Sequence, residues 1–245
     1  MEFVLLDWTR MGKTYCLAGV VREGKGFRVV RPLVTRGREA PVRNVGWSPW
    51  HLDCHARWEV FELVGAEPAT PSPPHLEDMW IRALRPRRRL ATSTERREIL
   101  SATMAPDREP IFGAPLQTTY AAAHLEPGTG KRSLVTIVVS PKQLSFGASR
   151  RIGASDQDIR VRLPVPGAGE RYVPVKDHHL LSRAAQTASA QDELAAFLNS
   201  AVQQMGDPVA VRLGLSRAFP GGGNSVSNSC WLMADGFFSL TNPQP

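Results

Sequence analysis

A strand followed by a β-hairpin, within the first 32 residues, is the feature that most constrains the fold of this chain. Residues 3–6 form a short β-prone run, residues 9–13 are expected to turn, and the runs 14–21 and 27–32 flank a glycine-containing turn at 23–26. Two β-prone runs around such a turn are typical of an antiparallel hairpin. Because no helical crossover separates these runs, they favour an antiparallel barrel or sandwich over a nucleotide-binding α/β fold.

The second half of the chain repeats this β character. A run of β-branched residues at 134–139 predicts a buried strand, and two more strands are predicted at 209–215 and 230–240. The alternating run 159–163 and the run 171–175 surround a proline- and glycine-rich turn, which predicts a second hairpin.

One helix is predicted in each half. Thr92 and Glu95 have the spacing of a capping box, which predicts a short helix from about Ser93 to Thr103. In the second half, apolar residues recur on one helical face. These residues are Leu194, Phe197, Leu198, Ala201, Val202 and Met205. Ser189 is expected to cap the start of this helix, and Gly206 is expected to stop it, followed by Pro208.

Together these elements predict a mainly β protein with a few helices, built as two OB-like antiparallel β-barrels in tandem. The first barrel is expected within residues 1–110, with a long loop at 33–56 and a basic segment. The second is expected within residues 111–245, with one amphipathic helix. The proline- and glycine-rich residues 105–130 are interpreted as linker and turns.

Arginine is concentrated in one segment of this basic chain. The net charge is +7, 25 of the 30 basic residues are arginine, and residues 79–97 hold seven arginines against one acid, Glu95. A concentrated positive patch suits a polyanion, and an interleaved aromatic ring offers bases a stacking surface. The predicted nucleic-acid-binding residues are Trp80, Arg82, Arg85, Arg87, Arg88, Arg89, Arg96, Arg97 and, at the end of the first hairpin, Arg31.

Structural roles stay open for the same arginines. The arginine bias also fits a GC-rich genome, and the basic run also fits a solvated edge strand that resists aggregation. Arg31 is alternatively expected to pair with Asp7 or Glu62 and so to lock the strand ends. Arg96 and Arg97, on the predicted helix, either extend the basic stripe or face solvent.

Short motifs along most of the chain resemble those of bacterial dual OB-containing domain proteins. Cys16-x-Ala18-Gly19 followed by Val30-Arg31-Pro32 resembles the opening of that family's first barrel. Residues 173–177 resemble its Leu-x-Val-Thr-Asp motif, with a lysine in place of threonine, and residues 212–217 and 231–237 resemble its last two strands. The resemblance implies the dual-barrel fold and a nucleic-acid-associated role near mobile-element or defence genes. It implies no catalytic site.

Three groups of residues offer metal-ligating side chains. They are His75, Glu77 and Asp78; Asp177, His178 and His179; and His51, Cys54 and His55. The first two groups fit metal-dependent hydrolysis, and the third lacks the second ligand pair typical of zinc sites. Aromatic packing of the loop around His51, and capping of a following helix or turn by Asp177, are the structural alternatives. We predict no metal site and no cofactor.

The sequence therefore predicts a non-enzymatic nucleic-acid-binding protein with no membrane segment. Its three widely spaced cysteines (Cys16, Cys54 and Cys230) and the absence of a secretory leader favour the cytoplasm. The first alternative is a protein-interaction adaptor for a nuclease or helicase encoded nearby, because a basic run also fits an acidic protein surface. The second alternative is a metal-dependent hydrolase that uses the histidine–carboxylate groups.

Overall fold

A computed structural model describes most of the chain as two compact units of curled β-sheet, which confirms the mainly β class. The described residues are 1–11, 14–34, 57–70, 72–120, 122–148, 159–187, 190–218 and 228–241. Unit 1 consists chiefly of Met1–Pro71 and Glu77–Thr103, and unit 2 of Ser72–Leu76 and Met104–Asn242. From residue 35 onward, the long loop predicted at 33–56 lies outside the described residues.

The described part of unit 1 is one mixed sheet and a helix. Its elements are β1 (Glu2–Met11), β2 (Thr14–Glu23), β3 (Gly26–Val34), β4 (Glu59–Val64), β5 (Glu67–Pro68), β6 (Asp78–Ile81), β7 (Ala83–Leu90) and α1 (Ser93–Ala102). The strand order is β5-β6-β3-β2-β1-β4-β7, and β3 and β6 are the one parallel pair in it. The predicted first hairpin is confirmed as β2 and β3. Its turn is shorter than predicted, because Glu23 already pairs with Gly26 and Gly24 adopts φ +59°.

The sheet of unit 1 curls so that its two sides meet. β6 pairs with β3 and β7 pairs with β4, yet only Arg82 separates β6 from β7 along the chain. β6 lies near one end of the strand order and β7 at the other, although the two strands follow each other in the chain. A flat sheet cannot satisfy both pairings, so the sheet bends into a barrel-like curve.

The core of unit 1 lies inside this curve. Phe3 and Phe61 face each other across the β1–β4 pair with ring centroids 6.5 Å apart, and both are fully buried. Gly19 on β2 is required by close backbone approach, because a Cβ there would lie 2.0 Å from the Val4 carbonyl oxygen. This steric limit explains the glycine of the Cys16-x-Ala18-Gly19 motif.

The capping box predicted for the first helix is confirmed. The Glu95 backbone N–H donates to Thr92 Oγ1 at 3.2 Å, and the Thr92 N–H donates to a Glu95 carboxylate oxygen at 2.8 Å. The helix α1 that follows buries Ile99 and Leu100.

The described part of unit 2 consists of two sheets and two α-helices. Its elements are β8 (Gln117–Thr118), β9 (Ala123–Leu125), β10 (Leu134–Val139), β11 (Ser145–Ala148), β12 (Ile159–Val165), β13 (Gly169–Pro174), α2 (His178–Thr187), α3 (Gln191–Gln204), β14 (Val209–Leu215) and β15 (Cys230–Ser239). One sheet has the order β10-β14-β15-β9-β8 and the other the order β11-β12-β13. The predicted second hairpin is confirmed as β12 and β13.

The two sheets of unit 2 are joined at two places. A 3-10 turn at Pro141–Gln143 carries the chain from β10 into β11. A parallel bridge then joins Val175, just after β13, to Ala234 on β15. These connections enclose the larger core, in which residues from β10, β12 and β14 pack together.

The predicted amphipathic helix is confirmed as α3. Leu194, Leu198 and Val202 are buried, and the helix ends before Gly206, which adopts φ +86°. It docks on β11 through Asn199, whose Oδ1 accepts the Phe146 N–H at 2.9 Å and whose Nδ2 donates to the Phe146 carbonyl at 3.0 Å. The predicted cap, Ser189, lies outside the described residues, and Ala190 precedes the helix.

Three local features differ from the sequence predictions. β1 continues to Met11, so the turn predicted from Thr9 was wrong over its first residues. Residues 105–130 are not a linker, because Phe112 is fully buried in the core of unit 2 and β8 and β9 form there. Helix α2 was not predicted, although the capping role of Asp177 is confirmed by its Oδ1, which accepts the Leu180 N–H at 3.0 Å.

None of the helices that the structure describes has both the length and the apolar content needed to cross a bilayer.

Candidate nucleic-acid interface

The predicted basic run forms β7, which stands at the edge of its sheet. Arg85 lies opposite Glu62 of β4, and Glu62 in turn lies opposite Glu2 of β1. Directly paired residues place their side chains on the same face of a sheet. A bulge between Glu59 and Phe61 bends the rest of the β4–β7 ladder.

Arg87 and Arg89 reach the same face, as their ion pairs show. Arg87 Nη2 lies 3.3 Å from a Glu62 carboxylate oxygen, and Arg89 Nη2 lies 3.3 Å from a Glu2 carboxylate oxygen. The other terminal nitrogen of Arg89 lies 3.3 Å from Glu95, which also caps helix α1. Backbone hydrogen bonding from Thr92, aided by Arg89, lowers the pKa of Glu95.

The arginine row is therefore partly neutralised by its own unit. Arg87 forms an ion pair with Glu62, and Arg89 forms ion pairs with Glu2 and Glu95. Arg22 also lies 3.8 Å from Glu95. All of these pairs are solvent-exposed to some degree, and exposed ion pairs typically contribute only about 0–1 kcal/mol. A phosphate group can replace such a carboxylate at little energetic cost.

Three other predicted arginines are exposed, and the described part of the chain offers them no carboxylate within ion-pair distance. Arg82 comes directly before β7, and Arg85 is an exposed residue near the start of that strand. Arg97 lies on α1, where its Nε donates to the Ser93 carbonyl at 3.4 Å. Within the described ranges, no acidic side chain neutralises their positive charge. The side chain of Arg88 lies outside the described part of the structure.

The prediction that Arg31 contacts nucleic acid was wrong, because its side chain is buried. Arg31 is 4% exposed, and its Nε lies 2.7 Å from Asp78 Oδ1. Burial acts to lower the pKa of Arg31, but the neighbouring Cys16, Asp78 and Glu77 raise it above the ordinary value. The alternative structural role is therefore favoured, with Asp78 as partner where Asp7 or Glu62 was expected.

Arg96 also belongs to the interior of its unit and not to the basic surface. It is 9% exposed, its Nε donates to the Ala91 carbonyl at 2.9 Å, and its guanidinium lies 5.7 Å from the Trp58 ring centroid. Burial lowers its pKa. Arg96 therefore packs α1 onto the sheet.

Trp80 is half-buried inside the sheet. It belongs to β6, where it lies beside Leu33 of β3 on one side and Glu67 of β5 on the other. Part of Trp80 therefore remains accessible to solvent. Stacking of a base on its indole ring stays a prediction.

The residues predicted for hydrolysis are divided between the two units. His75 belongs to unit 2, where its Nε2 lies 3.1 Å from the Ser216 carbonyl and 3.9 Å from Cys230 Sγ. Glu77 and Asp78 belong to unit 1, and Asp78 is held by Arg31. His178 lies on α2, with a ring nitrogen 3.3 Å from Ser182 Oγ.

Among the described residues, no three histidine, cysteine or acidic side chains are placed to hold a metal ion. The His51, Cys54 and His55 group lies outside the described residues.

One further surface, the outer face of the β11–β12–β13 sheet in unit 2, was not predicted from the sequence. Arg162 of β12 lies opposite Tyr172 of β13, and Arg160 follows on the same face. Tyr172 is 47% exposed. The alternation of arginine and apolar residues in β12 is a local signal in the sequence, but the pairing that brings Tyr172 beside Arg162 is a feature of the folded sheet.

No family model and no curated protein matches this chain. A solved structure described as a murine DNA binding protein bound with double-stranded DNA aligns with 96% of this chain and 97% of its own length. The sequence identity is 8% and the TM-score is 0.30, a likeness too weak to carry any argument about this chain.

Proposed function

We propose that this protein binds nucleic acid through the exposed arginines of β7. The observation that carries the proposal is the row of Arg85, Arg87 and Arg89 on one open face of an edge strand, with Arg82 just before it. Alternate residues of a strand are about 7 Å apart. That spacing is comparable with the spacing of successive phosphates along an extended nucleic-acid strand.

The energetics favour exchange of carboxylates for phosphates. An exposed arginine–carboxylate pair contributes at most about 1 kcal/mol, so an arginine that leaves one for a phosphate loses little. The phosphate contact also releases a counterion condensed on the nucleic acid, which gives a net gain on the order of 1 kcal/mol at low salt. Arg85 has no carboxylate to leave among the described residues, so its gain is larger.

The strand pairing supports an OB-type barrel for unit 1. Around the curl, the order is β1, β2, β3, the bent β6–β7 segment, β4 and back to β1. This closed circuit of five strand positions fits the five-stranded Greek-key barrel that many oligonucleotide-binding proteins use.

The pairing in unit 2 supports the same type of barrel. Its circuit runs from β10–β11 through β12 and β13 to β15, β14 and back to β10. Two such barrels agree with the resemblance to dual OB-containing domain proteins, which we retain as a proposal together with a cytoplasmic location. The link to defence or mobile-element systems stays a prediction.

The test is binding of labelled oligonucleotides to the wild type and to the Arg85→Ala/Arg87→Ala/Arg89→Ala variant. Loss of three contacts of about 1 kcal/mol each predicts binding that is weaker on the order of 100-fold. Arg28→Ala is the matched control, because Arg28 and Arg89 are both 40% exposed and both paired with a glutamate.

The expected result is a large loss of affinity in the triple variant and little change in the control. Equal affinity of the triple variant and the wild type, with both folded by circular dichroism, would contradict the proposal. The wild type is also expected to bind DNA or RNA at low salt. A complete lack of binding to both nucleic acids would refute the proposed function.

A second candidate function, docking of a protein partner, is favoured by a groove in unit 2. Its volume is about 720 Å³, and it lies along the outer edge of β10. The apolar side chains of Met104 and Val138 line it and are 38% and 44% exposed. A nuclease or helicase bound there would be identified by co-purification that survives nuclease treatment and is lost in Val138→Asp.

A further inference from the structure

The outer face of the β11–β12–β13 sheet combines an exposed aromatic ring with two guanidinium groups. On β12, Val161 and Leu163 are buried in the core, so the alternate residues Arg160 and Arg162 face outward. On β13, Val173 is buried and Tyr172 faces outward. One sheet face therefore presents Tyr172 beside both arginines.

Specific contacts fix these side chains on the face. Arg162 and Tyr172 are directly paired across the β12–β13 ladder. Arg160 Nη1 donates to the Tyr172 carbonyl at 3.2 Å, which holds that guanidinium over β13. Arg162 Nη1 lies 3.7 Å from a Glu170 carboxylate oxygen in a pair whose side chains are 47% and 63% exposed.

The charge on this face is available to a ligand. Among the residues that the structure describes, the one ion pair on this face joins Arg162 to Glu170. It is long and exposed, and such pairs contribute little. Within the described ranges, Arg160 bonds a neutral carbonyl and has no carboxylate at ion-pair distance. An anionic ligand can therefore bind both guanidinium groups, and the one ion pair that it displaces, between Arg162 and Glu170, is weak.

We propose that this face is a second nucleic-acid site, specific for single strands, in which an unpaired base stacks on Tyr172 while Arg160 and Arg162 bind the flanking phosphates. The inference rests on the proposed function for its class of ligand and extends it to unit 2. An aromatic ring on an open sheet face can stack only a base whose own face is free. In a duplex both faces of an internal base are already covered by its neighbours, so duplexes are excluded from this contact.

The test uses the full-length protein, a labelled oligothymidylate and a labelled duplex. Removing one base–aromatic stack in Tyr172→Ala predicts affinity for oligothymidylate lower by about tenfold. Tyr172→Phe keeps the ring and is expected to bind like the wild type. Tyr120→Ala is the matched control, since Tyr120 is a fully exposed tyrosine on the turn that follows β8.

Duplex affinity separates the outcomes. A loss confined to oligothymidylate in Tyr172→Ala, with duplex affinity unchanged, supports the proposal. Unchanged oligothymidylate affinity in Tyr172→Ala, while the triple variant of β7 binds weakly, overturns this site and leaves the proposed function standing. No binding of either probe by the wild type overturns both. Because Tyr172 is about half exposed, its substitution is expected to shift the thermal midpoint by a few degrees at most, and a single cooperative transition checks that the variants are folded.

Discussion

Removing one member of the buried Arg31–Asp78 pair is expected to destabilise unit 1 strongly. Asp78→Ala removes the carboxylate 2.7 Å from Arg31 Nε, while the guanidinium remains 4% exposed. One terminal nitrogen of Arg31 already has no hydrogen-bond partner among the described atoms, so the variant leaves a buried charge with still less compensation. Breaking a buried pair in this way costs about 3–5 kcal/mol. A loss of that size is a large part of the 5–15 kcal/mol that typically separates folded from unfolded protein.

Urea denaturation measures this effect. Tryptophan fluorescence follows mainly unit 1, because three of the described tryptophans (Trp8, Trp58 and Trp80) belong to it and one, Trp231, belongs to unit 2. We expect Asp78→Ala to lower the free energy of unfolding by about 3–5 kcal/mol and the double variant Arg31→Met/Asp78→Leu to restore most of it. If Asp78→Ala unfolds within about 1 kcal/mol of the wild type, the pair does not stabilise the buried arginine, and the assignment of Arg31 to a structural role is refuted.

Two further predictions concern the cores of the units. Gly19→Ala places a Cβ 2.0 Å from the Val4 carbonyl and is expected to lower the thermal midpoint of unit 1 sharply, whereas Gly26→Ala, which meets nothing nearer than 4.0 Å, is not. Burial lowers the pKa of His124 in folded unit 2. As the solution is acidified, the unfolded protein therefore binds a proton at His124 before the folded protein does. Stability is therefore expected to be complete above pH about 6.5 and to fall below it, and His124→Gln, measured by urea denaturation across this range, is expected to flatten the dependence.

Much of the fold follows from local signals in the sequence. The β2–β3 hairpin, the β12–β13 hairpin and the buried face of α3 each depend on residue spacing within one short segment. The capping box of Thr92 and Glu95 is local in the same sense. For such elements the pattern of apolar and turn residues carries enough information to predict the structure.

The candidate site depends on contacts that local patterns do not contain. Arg31 and Arg85 look alike in the sequence, yet Arg31 is buried because it pairs with Asp78, 47 residues away. Arg96 lies next to the exposed Arg97, and the orientation of α1 on the sheet decides which of the two is covered. Tyr172 was missed for the same reason, because only the pairing of β13 with β12 brings it beside the arginines.

The salt dependence of nucleic-acid binding tests the central claim most directly. Each phosphate contact adds about 0.7–0.9 to the slope of log affinity against log salt concentration. We expect a steep negative slope for the wild type, and a slope shallower by about 2–3 for Arg85→Ala/Arg87→Ala/Arg89→Ala. Equal slopes for the two proteins would show that these arginines do not contact phosphates.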